Sequence, residues 1–160
     1  MRTLRREMER VYDRYGSQLF TCALAVTGCP GLAEDALHEA FCRGFRLTKA
    51  PRNLKAYMYR SVRNAAIDQL RKKRRTSSLS EDYIFDPSAG PGELAEQNQF
   101  KRRAAETLLK LSENERETIV QHLYADLTFQ EIADIRGRSI GTVTSWYRRG
   151  LVKMREYMEH

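Results

Sequence analysis

The chain has 160 residues, with 28 Lys plus Arg against 21 Asp plus Glu and a formal net charge of +7. That length supports one core of ordinary size or two small ones, and the basic surplus suits an anionic partner such as nucleic acid or a membrane surface. No apolar run approaches the roughly 18 to 20 residues of a membrane-crossing helix, and the start turns acidic at Glu7 with no long apolar stretch, so membrane insertion and a secretory signal are not expected and the cytoplasm is the expected address.

In the first part of the chain, apolar residues recur at helical spacing. Val11, Tyr15, Leu19, Ala23 and Val26 define one helical face, which Gly28-Cys-Pro-Gly31 then breaks. A second helix is expected from about Leu32, with Ala33, Ala36, Leu37, Ala40 and Phe41 inward and Glu34, Asp35, Glu39 and Arg43 outward. Leu47 to Arg52 reads as a short loop. Asn53 then offers an N-cap for a third helix through about Arg75. No segment alternates like a strand, so the fold class is all-α.

Charge divides the chain into three. Residues 1–75 hold 17 basic and 7 acidic side chains, while residues 76–99 hold five acids and no base. That middle segment also collects Ser77, Ser78, Ser80, Pro87, Gly90, Pro91 and Gly92, so it is expected to be a flexible acidic linker between two small helical domains, residues 1–75 and 100–160. In the last part, Ser112 with Glu115 and Thr128 with Glu131 form two capping-box patterns. The second opens a short helix with Ile132, Ala133 and Ile135 apolar. Gly137-Arg-Ser139 makes a turn, and Ser139 caps a helix that runs to the C-terminus. A short capped helix, a Gly-containing turn and a longer polar-faced helix are the parts of a helix-turn-helix, which enters a DNA major groove.

On a helical wheel of the last helix, Val143, Tyr147, Leu151 and Met154 group on one side with Gly150, to pack on Ile132 and Ile135. The other side presents Gly141, Ser145, Arg148, Arg149 and Val152, with Thr142 and Thr144 near its edge. Arginine can grip guanine with two hydrogen bonds, and hydroxyls serve bases or phosphates. Trp146 lies at the border of the two arcs, and packing is the favoured role for it over contact with the DNA backbone. On the third helix, Arg60, Arg63, Asn64, Ile67 and Arg71 form an outer stripe, with Tyr57 and Tyr59 near its start; Leu54, Met58, Val62, Ala66 and Leu70 turn inward. Basic groups that track phosphates beside aromatic faces suit a single strand or a melted duplex.

Three cysteines, Cys22, Cys29 and Cys42, make an odd number, and no CxxC pair accompanies them. Small buried thiols are the favoured reading, and a zinc or redox site using His38 the lesser one. There is no catalytic constellation and no Gly-rich phosphate loop, so neither enzymatic activity nor a cofactor is expected.

These strings together resemble the extracytoplasmic-function group of bacterial RNA polymerase sigma factors, across nearly the whole chain. Val11-Tyr-Asp-Arg-Tyr-Gly16 is similar to that family's opening helix, and Ala33-Glu-Asp-Ala-Leu-His-Glu-Ala-Phe41 to its polymerase-binding helix. The run from Ala56 to Arg71 is similar to its promoter-melting segment. Leu111 to Glu117, Phe129 to Ala133 and Gly141-Thr-Val143 are similar to its reader of the upstream promoter element.

The resemblance implies that Glu34, Asp35 and Glu39 contact core RNA polymerase. It implies that Tyr57, Tyr59, Arg60, Arg63, Asn64 and Arg71, with the Leu47–Arg52 loop, serve the −10 element. Thr142, Thr144, Ser145, Arg148 and Arg149 would serve the −35 element, and a separate anti-sigma protein would regulate the chain. There are departures from the family pattern. His38 stands where Gln is usual, Thr144 and Trp146 where basic residues are common, and Ile140 where Glu is common, which leaves the preferred −35 sequence open. Two other functions compete with this one. The first is a stand-alone helix-turn-helix regulator, which would bind an operator tightly without polymerase. The second is a sigma-mimicking interaction protein, in which the basic and aromatic stripe would be lost.

Overall fold

A computed structural model describes residues 2–76 and 95–159. Among them are seven α-helices and no strand. They form two compact units, α1 to α3 and α4 to α7.

In the first unit α1 (Arg2–Thr27), α2 (Pro30–Phe45) and α3 (Leu54–Thr76) all pack against one another. The inward stripe of α2 is Ala33, Ala36, Ala40, Phe41 and Gly44, so its backbone can come close to both neighbours. Gly44 leaves room there for the tips of the Met8 side chain of α1 and the Met58 side chain of α3, which an added Cβ would push aside. Met8, Leu19, Ala23, Met58, Val62, Ala65 and Ala66 complete the core. Helix α2 starts two residues before the expected Leu32, since Pro30 suits the first helical turn, where its missing N–H would have no partner in any case. The break before it is set by Gly28 at φ +66° and by Thr27, whose hydroxyl donates to the Cys29 carbonyl at 3.1 Å. At the start of α3, Asn53 Oδ1 accepts from the Ala56 N–H at 3.1 Å, the expected cap. Tyr15, Val26, Leu37, Leu54 and Leu70, expected inward, are half-buried.

The second unit begins with α4 (Ala95–Leu109), inside the span expected to be linker, and the rest of that span, residues 77–94, lies outside the described residues. Helix α5 (Glu113–Ile119) continues into a π-helical turn, Val120–Tyr124, followed by α6 (Phe129–Arg136) and α7 (Ile140–Glu159). Both capping boxes form. Ser112 Oγ accepts from the Glu115 N–H while the Glu115 carboxylate accepts from the Ser112 N–H, and Thr128 and Glu131 repeat the exchange. Each box satisfies two N–H groups that a helix start leaves open. Gly137, at φ +64°, ends α6 in the left-handed region, and Ser139 Oγ accepts from the Thr142 N–H at 3.2 Å.

Helix α7 packs on α5 as well as on α6 and α4. That partner changes the expected wheel. The buried line is Val143, Trp146 and Gly150; Tyr147 and Met154 are half-buried, and Leu151 is 37% exposed. The reason is local. A Cβ on Gly150 would lie 2.5 Å from Ile119 Cδ1, so a glycine there lets α7 sit close on α5 and turns Trp146 into the interface.

Candidate nucleic-acid interface

On α3, Arg60, Asn64 and Arg71 are exposed, and Tyr57, Arg63 and Ile67 are half-buried, so the expected stripe lies along the helix surface. Lys72, Arg74 and Arg75 extend its positive charge to the helix end. Tyr59 does not belong to it. It is 3% exposed and meets Tyr15 of α1 edge-on at 6.4 Å between ring centroids, so its ring is packed in the interhelical core and not offered to a base. Two residues separate it from Tyr57, about 200° around a helix, and this puts the two rings on different faces.

On α2, Glu34 and Asp35 are exposed. Glu39 is half-buried and engaged. Its Oε1 is 2.6 Å from Arg43 Nη2, and its Oε2 accepts from Gln69 Nε2 of α3 at 3.3 Å. Glu39 therefore braces α2 against α3 besides offering charge, and Gln69 is a partner that sequence periodicity did not single out. The thiols stay apart from one another. Cys42 Sγ is 3.5 Å from His38 Nε2 on the same helix, Cys29 Sγ is 4.0 Å from Lys73 Nζ, and Cys22 is buried. Among the described residues no three His, Cys, Asp or Glu side chains gather as metal ligands.

On α7, Ser145, Arg148 and Arg149 are exposed and Thr142 and Thr144 are half-buried. Two hydroxyls are already used locally. Thr144 Oγ1 donates to the Gly141 carbonyl at 3.1 Å, and the Thr142 and Ser139 hydroxyls lie 2.9 Å apart. Arg149 leans toward Glu115 of α5, with Nε 4.0 Å from Oε2. Glu115 is the hub of this edge. Lys153 Nζ donates to both its oxygens at 2.8 and 3.1 Å while the same carboxylate closes the α5 capping box. Burial works against its ionisation, but the hydrogen bond from Lys153, those from Ser112 and the Lys153 charge outweigh it and hold the carboxyl below its ordinary 4.5.

Beneath α7 lies a buried cation, Arg136, whose side chain is 2% exposed. It is fixed by Glu117 Oε2 at 3.2 Å, Thr118 Oγ1 at 2.7 Å and Asn114 Oδ1 at 2.6 Å, all on α5. Trp146 of α7 lies over the guanidinium, 4.4 Å from it to the ring centroid. Trp146 is thus a packing residue, as favoured. Arg136 itself escaped sequence reading, although its place four residues after Ile132, on the inward stripe of α6, was a signal that it turns into the core.

Comparison with known proteins yields two family models in chain order. Sigma-70 region 2 matches residues 11–76, and Sigma-70, region 4 matches residues 101–154. The ECF RNA polymerase sigma factor RpoE of Cereibacter sphaeroides is 27% identical over 79% of this chain and 70% of its own length. The ECF RNA polymerase sigma factor SigM of Bacillus subtilis is 25% identical over 80% of each chain. Among solved structures, the sigma factor RpoE in complex with the anti-sigma factor NepR, from Bartonella quintana, superposes with a TM-score of 0.76 at 20% identity, covering 99% of this chain and 98% of that one. CnrH in complex with the cytosolic domain of CnrY gives 0.67 at 19% identity, over 97% and 89%. Both share the fold.

Proposed function

The chain belongs to the sigma-70 family, in its extracytoplasmic-function group of RNA polymerase sigma factors, and on that premise we propose how its residues divide the work of promoter recognition and opening. The unit of α1 to α3 holds core polymerase and the −10 element, the unit that begins with α4 at Ala95 reads the −35 element, and the span between them links the two. The observation that carries this division is one exposed basic face in each unit: Arg60, Asn64 and Arg71 on α3, and Ser145, Arg148 and Arg149 on α7. Two separated grips suit a promoter, whose two elements are read at different places. The sequence relatives are sigma factors, which favours this role over a stand-alone operator-binding regulator.

Each side chain has a physical task. Glu34, Asp35 and Glu39 give α2 a negative face for a basic surface of polymerase. Arg60, Arg63 and Arg71 neutralise phosphates, Asn64 can hydrogen-bond an unpaired base edge, and Tyr57 can stack on one. Tyr59 supports that helix from within. Arg148 is placed to hold a guanine edge. Arg149, braced by Glu115, is placed for a phosphate, and Ser145, Thr142 and Thr144 flank them. The chain binds and opens DNA while polymerase performs the chemistry, so no catalytic residue or cofactor of its own is assigned. No helix among the described residues is long and apolar enough to cross a membrane, and the site of action is the cytoplasm, where polymerase works. An anti-sigma protein, like the NepR bound to the sigma factor RpoE of known structure, is the proposed regulator.

The test is transcription with purified core polymerase from a library of candidate promoters. Initiation at discrete start sites that needs this chain is the expected result. Its absence on every promoter would overturn the proposal.

A further inference from the structure

Helix α7 buries three residues, Val143, Trp146 and Gly150, and Trp146 is the one large side chain among them. Val143 is small and Gly150 has no side chain, so within this buried line rotation of α7 about its own axis is resisted where the indole sits, alongside the Tyr147 contacts with His122 and Phe129 and the Lys153 bonds to Glu115 at the flanks. The indole sits on the Arg136 guanidinium, and Arg136 is in turn held by Glu117, Thr118 and Asn114 of α5. A planar guanidinium hydrogen-bonds in its plane while it carries an aromatic ring on its flat face, whereas an ammonium is a compact point charge with no such fork. The result is a three-part clamp: α5 fixes the ion, the ion lies under the indole, and the indole resists roll of α7 at its buried centre.

Roll decides reading. Thr142 lies four residues before Trp146, Ser145 one before it, and Arg148 and Arg149 two and three after. A roll of about 20° carries a side-chain tip at the helix periphery, about 5–6 Å from the axis, through about 2 Å. A hydrogen bond to a base edge tolerates only a few tenths of an ångström beyond its usual length. We propose that Arg136, which itself touches no DNA, is a positioning residue that determines −35 specificity by fixing the roll of α7 through Trp146. The proposal rests on the −35 reading role assigned to α7.

The test uses the full-length chain with core polymerase and a library in which −35 positions carry single mismatches, with −10 mismatches scored in parallel as reference. In Arg136→Lys, which keeps the charge and loses the flat fork, discrimination between the preferred −35 element and its mismatches is expected to fall about fivefold or more, the scale of one base-pair mismatch. Trp146→Phe should lower it in the same direction by less. The two changes together should be no worse than Arg136→Lys alone, because they break one clamp. Circular dichroism melts identify which variants are folded, and Trp146→Phe carries the test by itself should Arg136→Lys not fold. Unchanged −35 discrimination in the folded variants, or a uniform weakening on every sequence, would overturn the proposal while leaving the role of α7 intact. A wild-type chain that initiates from promoters yet ignores −35 mismatches would overturn both.

Discussion

The two units hold their helices together by different means. In α1 to α3 the closest approaches are made by small apolar groups: Ala33, Ala36, Ala40 and Gly44 on α2 meet a core that includes Met8, Leu19, Met58 and Val62. In α4 to α7 an apolar centre of Leu108, Ile119, Ile132 and Val143 is bordered by ion pairs, buried Arg136 with buried Glu117 and buried Glu115 with the partly exposed Lys153. Apolar packing is non-directional, which suits helices that carry the evenly spread basic stripe proposed to track phosphates. Ion pairs and a stacked indole are directional, which suits the proposed role of α7, whose side chains would meet base edges at one roll angle.

That contrast can be broken at either unit, and Trp146, the chain's one tryptophan, is a fluorescence reporter for the second. The largest effect is expected from Arg136→Met, which removes the cation 3.2 Å from the buried Glu117 carboxylate. A loss of about 3–5 kcal/mol is expected in the Trp146-monitored transition, the cost of removing one partner of a buried pair. A shift under about 1 kcal/mol would mean that the ion is dispensable to the second unit. Leu19→Ala in the first unit should cost about 2–5 kcal/mol as a cavity in a dense core. Urea unfolding followed by circular dichroism should register that loss while the Trp146 signal stays in place. Movement of both would show that the two units unfold together.

The smaller effects sharpen the comparison. Arg148→Ala should weaken use of the cognate −35 element by about 1–3 kcal/mol and relax its base preference. Arg149→Ala should weaken binding evenly across sequences, with a shallower salt dependence, because its lean toward Glu115 suits a phosphate contact. Promoter competition at two salt concentrations separates the two, and an even loss in both variants would remove Arg148 from the base-reading set. Smallest is the acid response of Glu115. Its folded carboxyl titrates below 4.5, so its contribution is present above that value and is lost as pH falls through the folded value. Melting of the second unit should therefore drop more steeply below about pH 4.5 in the wild type than in Glu115→Gln, as followed by Trp146 fluorescence.

Much of the fold was legible because its signals are local. Helical periodicity, the Asn53 cap, the Ser112 and Thr128 capping boxes and the Gly137 turn each depend on residues within four positions of one another, and all of them form. The outward placement of Arg60, Asn64, Arg71, Arg148 and Arg149 followed from the same spacing. What spacing alone left out was decided between helices. Tyr59 turned inward because Tyr15 of α1 was there to meet it, and α4 started at Ala95, within a span whose composition pointed to linker.

The sequence by itself determined an all-helical chain with two basic faces and a capped helix-turn-helix, since the period of a helix and the chemistry of its ends are properties of neighbouring residues. Only the tertiary structure decided which edge of α7 is buried and which is left exposed. Gly150 admits α5, Trp146 follows it into the interface, and Arg136, a charged residue on a short helix, becomes the buried plate beneath the indole. A guanidinium is stable there because α5 brings Glu117, Thr118 and Asn114 to it, three partners about 20 residues away in the chain that no local pattern could supply.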